Sequence, residues 1–263
     1  MSLKRWLKKI YFGNLPEAGR SFPYFGTKVF FPKNSMLFHM VCESGIYEWE
    51  NVRVLQSLAE ERTTVIDIGA NIGLIAIPLL ASAKELSVQS FEPSPNSLPY
   101  LQRTAQASAF GLRWKVIGKA VGNAPGSVEF HIGSEGMGAF DSFRNTARSG
   151  DRRIVQVPMT TIDREWEDGG RPRVSVIKID VEGAERLALE GAAACISHNR
   201  PSILVEWNSA NLAAFDSDPA WLLSFAKDSG YNVHGLPGMA IAASGTALKA
   251  QMAVTESFLL LAT

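Results

Sequence analysis

Two stretches of this chain put acids and glycines where strands should end, and they are the parts best suited to chemistry. The first is Val65-Ile66-Asp67-Ile68-Gly69-Ala70-Asn71-Ile72-Gly73-Leu74-Ile75-Ala76. An apolar run ends in an acid and a glycine turn, then apolar residues return at helical spacing. That pattern predicts a strand, a tight loop and a helix, with small residues where a ligand must come close to backbone. Asn71 stands between Gly69 and Gly73, and Asp67 precedes the first of them by two positions. The order Asp-x-Gly-x-Asn-x-Gly is not the Gly-x-Gly-x-x-Gly of dinucleotide sites. It suits a cationic, amino-acid-bearing nucleoside better than a pyrophosphate. Further on, Phe91-Glu92-Pro93 ends the next strand with an acid able to accept hydrogen bonds from both ribose hydroxyls.

The second stretch is Val176-Ile177-Lys178-Ile179-Asp180-Val181-Glu182-Gly183-Ala184-Glu185, and the strand after it ends in Glu206-Trp207-Asn208. Acids at strand ends can hold a cation, orient a substrate hydroxyl or take its proton. Asp180, at the strand end, is expected to point into the cleft. Glu185 reads as a helix N-terminal acid that complements the dipole. Glu206 reads either as a site acid or as a structural acceptor. Of the four histidines, His131 closes a strand before a long loop and is the best placed to act as a base. His39, His198 and His234 read as packed or surface residues, and no two histidines have metal-ligand spacing.

The elements that must position these residues alternate from Thr63 onward. Strands are expected at 64–68, 86–91, 112–116, 174–179, 202–207, 231–234 and 257–261. Helices are expected at 72–83, 94–109, 184–196 and 220–229. Such alternation predicts βαβ crossovers and a parallel sheet covered on both faces. A strand pair at 127–132 and 153–157 interrupts the rhythm, with a glycine- and charge-rich loop, 133–151, between. A loop this long in a compact domain is often functional. The segment 235–254 reads as a loop or lid. Before Thr63, strands at 27–31 and 36–42 and a helix at 46–60 read as a cap. The domain reading is therefore 1–60 as an N-terminal cap and 61–263 as the main domain with the inserted loop.

The same residues carry a resemblance. Tyr47-Glu48, the run 65–73, Phe91-Glu92-Pro93, Ala120-Val121-Gly122 with Gly126, Thr161-Ile162-Asp163, the run 177–185, Gly191 and Leu204-Val205-Glu206 occur in an order that resembles FkbM-type methyltransferases, over roughly residues 45 to 207. Lys-Ile-Asp-Val-Glu-Gly-Ala-Glu is the most specific of these matches. The resemblance implies an α/β, class I methyltransferase (Rossmann-like) fold: a seven-stranded, mostly parallel sheet with helices on both faces and an antiparallel last strand. It implies S-adenosyl-L-methionine as methyl donor, S-adenosyl-L-homocysteine as product, and usually a hydroxyl of a sugar or natural-product scaffold as acceptor. Asp67, Gly69, Ala70, Asn71 and Gly73 would then surround the methionine part and Glu92 the ribose. Pro93, Ala120 and Val121 would border the adenine, and Asp180 and Glu182 would face the methyl group or the acceptor.

The acceptor side is less defined. Ser142 belongs to a loop, 137–143, that only loosely follows the family's small, serine-rich segment. Arg144, Arg148, Arg152 and Arg153 read as a solvated surface or as a cationic lid over an acidic or phosphorylated acceptor. Tyr47, Trp207 and Trp221 read as core aromatics or as stacking surfaces for a sugar ring. Ser142, Arg144, Glu206 and Trp207 are taken as the acceptor-side residues. A divalent cation on Asp180 and Glu206 is chemically allowed but not expected. The alternatives are an N-methyltransferase of the same fold, a nucleotide-binding oxidoreductase, which the first turn disfavours, and a non-catalytic nucleoside-binding module.

Composition narrows the classes further. The chain has 263 residues, enough for one domain with additions, and 46% hydrophobic and 20% charged residues are ordinary for a globular protein. Lys+Arg and Asp+Glu each total 26, so there is no global pull toward nucleic acid. Lys4, Arg5, Lys8 and Lys9 cluster around Trp6, Leu7 and Ile10, and read as a solvated helix face or a membrane-surface contact. No apolar run reaches spanning length and no signal-peptide pattern opens the chain. Cys42 and Cys195 have no metal spacing and read as buried thiols of a reducing compartment. The expectation is a cytoplasmic enzyme with a small-molecule partner, no nucleic acid and no integral membrane association. An exposed cap edge permits a homodimer without requiring one.

Overall fold

Thr64 to Ile68 is buried at every position, as a central parallel strand must be when helices cover both faces of its sheet. The structure is a computed structural model and describes residues 3–134, 136, 138, 141–144 and 153–263. In chain order its elements are α1 (Leu3–Gly13), β1 (Ser21–Tyr24), β2 (Thr27–Phe30), α2 (Met36–Ser44), α3 (Trp49–Leu58), β3 (Thr64–Ile68), α4 (Ala76–Ser82), β4 (Ser87–Phe91) and α5 (Leu98–Ala107). There follow β5 (Trp114–Ile117), β6 (Ala120–Val121), β7 (Gly126–Ile132), β8 (Arg153–Thr160), α6 (Ile162–Asp168), β9 (Val174–Ile179), α7 (Glu185–Glu190) and α8 (Ala193–Asn199). The chain closes with β10 (Ser202–Glu206), α9 (Ser209–Ala214), α10 (Trp221–Ser229), β11 (Tyr231–Gly235), β12 (Ala240–Ile241), α11 (Gly245–Met252) and β13 (Ser257–Ala262).

The main sheet has the order β12-β11-β13-β10-β9-β3-β4-β5. Strands β5, β4, β3, β9 and β10 are parallel, and β13 runs antiparallel to both β10 and β11. This is the class I methyltransferase sheet with one correction. It has eight strands rather than seven, because β12 pairs with β11 and covers what would be the sheet's edge. The segment 235–254, expected as loop, therefore supplies β12 and α11, and the Ser244 side chain caps α11 by accepting from Ala247 N.

Strand order reverses between β3 and β9. The chain leaves β3 toward β4 and β5, then returns to the other side of β3 as β9. Ligand sites of open α/β sheets form beyond the carboxyl ends of strands at such a switch point. The inserted strands pair as expected, β7 antiparallel to β8, and with β6 they make a separate three-stranded sheet.

Three other expectations change. Residues 36–42 are helix, not strand. The Ser35 hydroxyl accepts from Phe38 N, and Leu37, Phe38, Val41 and Cys42 bury one helical face. The strand expected at 27–31 pairs instead with β1. The helix expected over 184–196 is two, α7 and α8, with Gly191 and Ala192 between them; at Gly191 a Cβ would lie 2.0 Å from the Gly122 carbonyl oxygen. The first 60 residues pack onto the sheet rather than apart from it. Phe22, Phe31, Phe38 and Leu55 share a core with Val65, Leu79, Val88 and Trp114. Among the described residues no helix is long and apolar enough to cross a membrane.

Candidate active site

The turn after β3 is held open by backbone bonds. Gly69 N and Ala70 N both donate to the Phe91 carbonyl at 3.0 Å. Gly69 has φ +80, and a Cβ there would lie 1.8 Å from the carbonyl oxygen of Asp180. The close approach that demands glycine is thus that of β9's own backbone. Gly73, at φ +90, serves packing too, since a Cβ would strike the Trp114 ring at 2.7 Å. Asn71, at φ +49, turns its N–H to Glu92 Oε2 at 2.8 Å, and Ser94 N donates to Glu92 Oε1 at 2.8 Å. Burial pushes the Glu92 carboxyl up to about 7 despite these two bonds. Each of its oxygens has accepted one N–H and keeps acceptor capacity.

These residues wall a cavity at the switch point. Of the expected cofactor residues, Gly69, Ala70, Asn71, Glu92, Pro93, Ala120, Val121 and Asp180 line it, as does Glu182. Asp67 does not. It is fully buried within the sheet, where Ser90 Oγ donates to its Oδ2 at 3.5 Å and Lys178 Nζ stands 3.8 Å from its Oδ1. Burial pushes Asp67 up to about 6 against the pull of Lys178. Gly73 is also off the cavity wall.

The acids beyond β9 and β10 do converge. Oxygens of Asp180, Glu182 and Glu206 lie within 4.8 Å of one another. Glu206 reaches them from an adjoining recess that it lines with Asp180, Lys178, Glu48 and Asn51. Asn211 Nδ2 donates to Glu182 Oε2 at 2.7 Å, and Asn208 Nδ2 to Glu206 Oε1 at 2.9 Å. Burial and the neighbouring carboxylates push Glu206 well above the usual carboxylate range. Carboxylates this close share a proton or a positive charge. Lys178, itself buried, supplies a positive charge 3.3 Å from Asp180 Oδ2. Its pKa is raised because its carboxylate neighbours outweigh desolvation. Glu185 binds backbone, as a capping acid should: Val181 N and Gly183 N donate to its Oε1 at 3.1 and 3.0 Å.

The remaining expected residues lie elsewhere. Phe130 faces the cavity, so the alternation of β7 turns its neighbour His131 away. Ser142 is buried behind the wall, where its hydroxyl donates to the Glu182 carbonyl at 2.8 Å. Arg144 is half-exposed, pairs with Asp216 Oδ2 at 3.0 Å and lies over the Phe215 ring. Trp207 is core: it is fully buried, stacks near Trp221 and donates from Nε1 to the Pro219 carbonyl. Arg148 and Arg152, with 137, 139 and 140 of the loop, lie outside the described residues.

Three charged cavity residues, Lys178, Lys119 and Asp141, have no role assigned from sequence. Lys178 was visible as a lone ammonium within an apolar strand, which requires a countercharge. Lys119 lines the cavity and pairs with Glu165 at 2.8 Å. Asp141 holds the inserted loop to the turn before α5. It accepts from Ser94 Oγ at 2.6 Å, Asn96 Nδ2 at 3.2 Å and Gly133 N at 2.8 Å. Tyr47, read as core or sugar-stacking, does reach the cavity. Burial and the acids Glu48, Asp180 and Glu206 raise its phenol well above the ordinary value.

Sheet order, switch-point cavity and acid cluster together define a class I methyltransferase fold. The family model described as "Methyltransferase FkbM domain" matches residues 67–233. The chain belongs to the FkbM methyltransferase family. Among solved structures it is similar to methyltransferase FkbM from Methylobacillus flagellatus KT, at 20% identity over 85% of this chain with a TM-score of 0.48. The chain spans 51%, about half, of the length of that protein. It is similar as well to a putative caffeoyl-CoA O-methyltransferase from Staphylococcus aureus, at 10% identity over 85% of this chain and 87% of the other, TM-score 0.49. A precorrin-6y C5,15-methyltransferase from Geobacter metallireducens GS-15 matches at 10% identity over 81% of this chain and 85% of the other, TM-score 0.43. No curated protein matches the sequence.

Proposed function

We propose that the protein is an S-adenosyl-L-methionine-dependent O-methyltransferase whose acceptor is a hydroxyl of a sugar or natural-product scaffold. The observation that carries this reading is the convergence of Asp180, Glu182 and Glu206 beside the switch-point cavity. The cavity residues fit the cofactor. Glu92 has acceptor capacity left for ribose hydroxyls, Ala120 and Val121 offer an apolar border, and Asp180 and Glu182 offer negative charge to a sulfonium. When bound, S-adenosylmethionine supplies an activated methyl group whose transfer leaves S-adenosylhomocysteine.

The chain's own part is alignment and proton management. A hydroxyl is a poor nucleophile near neutral pH and must lose its proton as it attacks. Asp180, the ionised member of the pair, takes that proton, while Glu206, whose raised proton affinity makes it the protonated member, hydrogen-bonds to it. Lys178 keeps Asp180 ionised and oriented before the reaction. Residues 1–60 act as a cap on the 61–263 domain. Leu37 and Tyr47 reach the cavity from it and, with the 133–151 loop, select the acceptor. A cytoplasmic setting is supported by two buried, unpaired thiols, Cys42 and Cys195.

The test is methyl transfer to a panel of glycosides and amines, read by mass spectrometry, together with calorimetry of S-adenosylhomocysteine. Asp180→Asn should slow turnover at least ~100-fold and leave the product's affinity within about threefold. Normal turnover by that variant, or methylation of amines alone, contradicts the proposal.

A further inference from the structure

Helix α1 is docked by the wrong side. Phe12 packs against the main core. Gly13 lies against Phe38, where a Cβ would sit 3.6 Å from the ring, and Lys9 is half-buried. The other side carries Leu7 and Tyr11, 52% and 66% exposed, with Ile10 at its margin, 43% exposed. Positions 7, 10 and 11 share one helical stripe, and the sequence continues that spacing back to Leu3 and Trp6. A surface helix normally turns such a stripe toward the core.

The charge is equally one-sided. Lys4, Arg5, Lys8 and Lys9 fall within this helix, and no acid occurs before Glu17 in a chain whose net charge is zero. An apolar stripe rich in aromatics beside lysines is the composition of a helix that lies in a lipid interface. Shape separates lipid from a protein partner. A groove that takes an amphipathic helix encloses it from several sides. One side of α1 is already occupied by the protein's own core, so what remains suits a flat surface.

We infer that α1 is a peripheral membrane anchor, with Leu7, Ile10 and Tyr11 at the acyl boundary of an anionic lipid surface and Lys8 against the headgroups. This surface is distinct from the cavity and does not depend on the reaction catalysed there.

Flotation of the full chain with vesicles of phosphatidylcholine, with and without phosphatidylglycerol, tests it. Binding should require the anionic lipid and fall as salt is raised. Lys8→Gln should weaken partitioning roughly fivefold, and Leu7→Asp with Tyr11→Asp should abolish it. Both variants should keep the wild-type melting midpoint, since these side chains face solvent. No flotation with anionic vesicles, equal flotation with neutral ones, or an undiminished double variant overturns the proposal. A dimer in gel filtration that the double variant dissociates, without vesicle binding, would assign the stripe to a second copy of the chain instead.

Discussion

Replacing Lys178 with Met tests whether a single ammonium holds the acid cluster together. Lys178 Nζ lies 3.3 Å from Asp180 Oδ2 and 3.8 Å from Asp67 Oδ1, with the lysine 5% and Asp67 0% exposed. At an effective dielectric constant of about 20, those separations correspond to attractions of about 5 and about 4 kcal/mol. Desolvation of the ammonium offsets much of this, and removal of one partner of a buried ion pair typically costs about 3–5 kcal/mol. The loss should depend on pH. The lysine's folded pKa is raised above its unfolded value, so its contribution is fully present below about pH 10 and fades only as pH rises beyond that. Between pH 6 and 8 the lysine stays charged, and the pH dependence comes from the acids. Asp67 sits at about 6 in the folded protein, above its unfolded value. Such a group binds more protons folded than unfolded, so its contribution to stability falls as pH rises from its unfolded value of about 4 to about 6 and is level above that. Without Lys178 its pKa climbs further, and the penalty of ionising it extends to higher pH. Urea unfolding followed by tryptophan fluorescence should therefore show Lys178→Met about 3–5 kcal/mol less stable at pH 8, and distinctly less penalised at pH 6. A loss under about 1 kcal/mol, the scale of an exposed pair, or an equal loss at both pH values, would refute the countercharge role.

Two further outcomes follow from the cavity wall. Glu92 titrates at about 7 in the folded protein, and its ionised form is the better acceptor for two ribose hydroxyls. S-adenosylhomocysteine affinity should then fall roughly tenfold from pH 8 to pH 6, and Glu92→Gln should flatten the profile; a flat wild-type profile would remove Glu92 from the ribose site. Gly69→Ala forces a Cβ toward the Asp180 carbonyl at a φ of +80. It should cost about 3 kcal/mol or more of stability and abolish product binding, and a variant normal in both respects would contradict the close packing of β3 on β9.

The strands were legible because buried parallel strands are written as unbroken apolar runs, and the acids at their ends followed from the same runs. What sequence could not show was the direction in which each side chain points. Asp67 and Lys178 were both visible, yet their pairing depends on the register of β3 against β9, which is a contact between distant segments. His131 looked like a base until the alternation of β7 turned Phe130, rather than His131, to the cavity. Trp207 and Ser142 sit one position or one layer away from the wall and are claimed by local hydrogen bonds. Residues 36–42 read as strand because their apolar run is short, and the Ser35 cap that makes them helix is a single residue. Gly69 and Gly73 were correctly marked as sites of close approach, but what approaches them is protein.

The central claim is that the cavity beyond β3, β4 and β9 receives an S-adenosyl nucleoside. Calorimetry of the full chain with S-adenosylhomocysteine, and with NAD as a comparison, tests it most directly. S-adenosylhomocysteine should bind saturably at one site, weakened by about 1.5–3 kcal/mol in Glu92→Ala, with no comparable binding of NAD. Absence of S-adenosylhomocysteine binding by the folded wild-type protein, or equal binding of NAD, would contradict it.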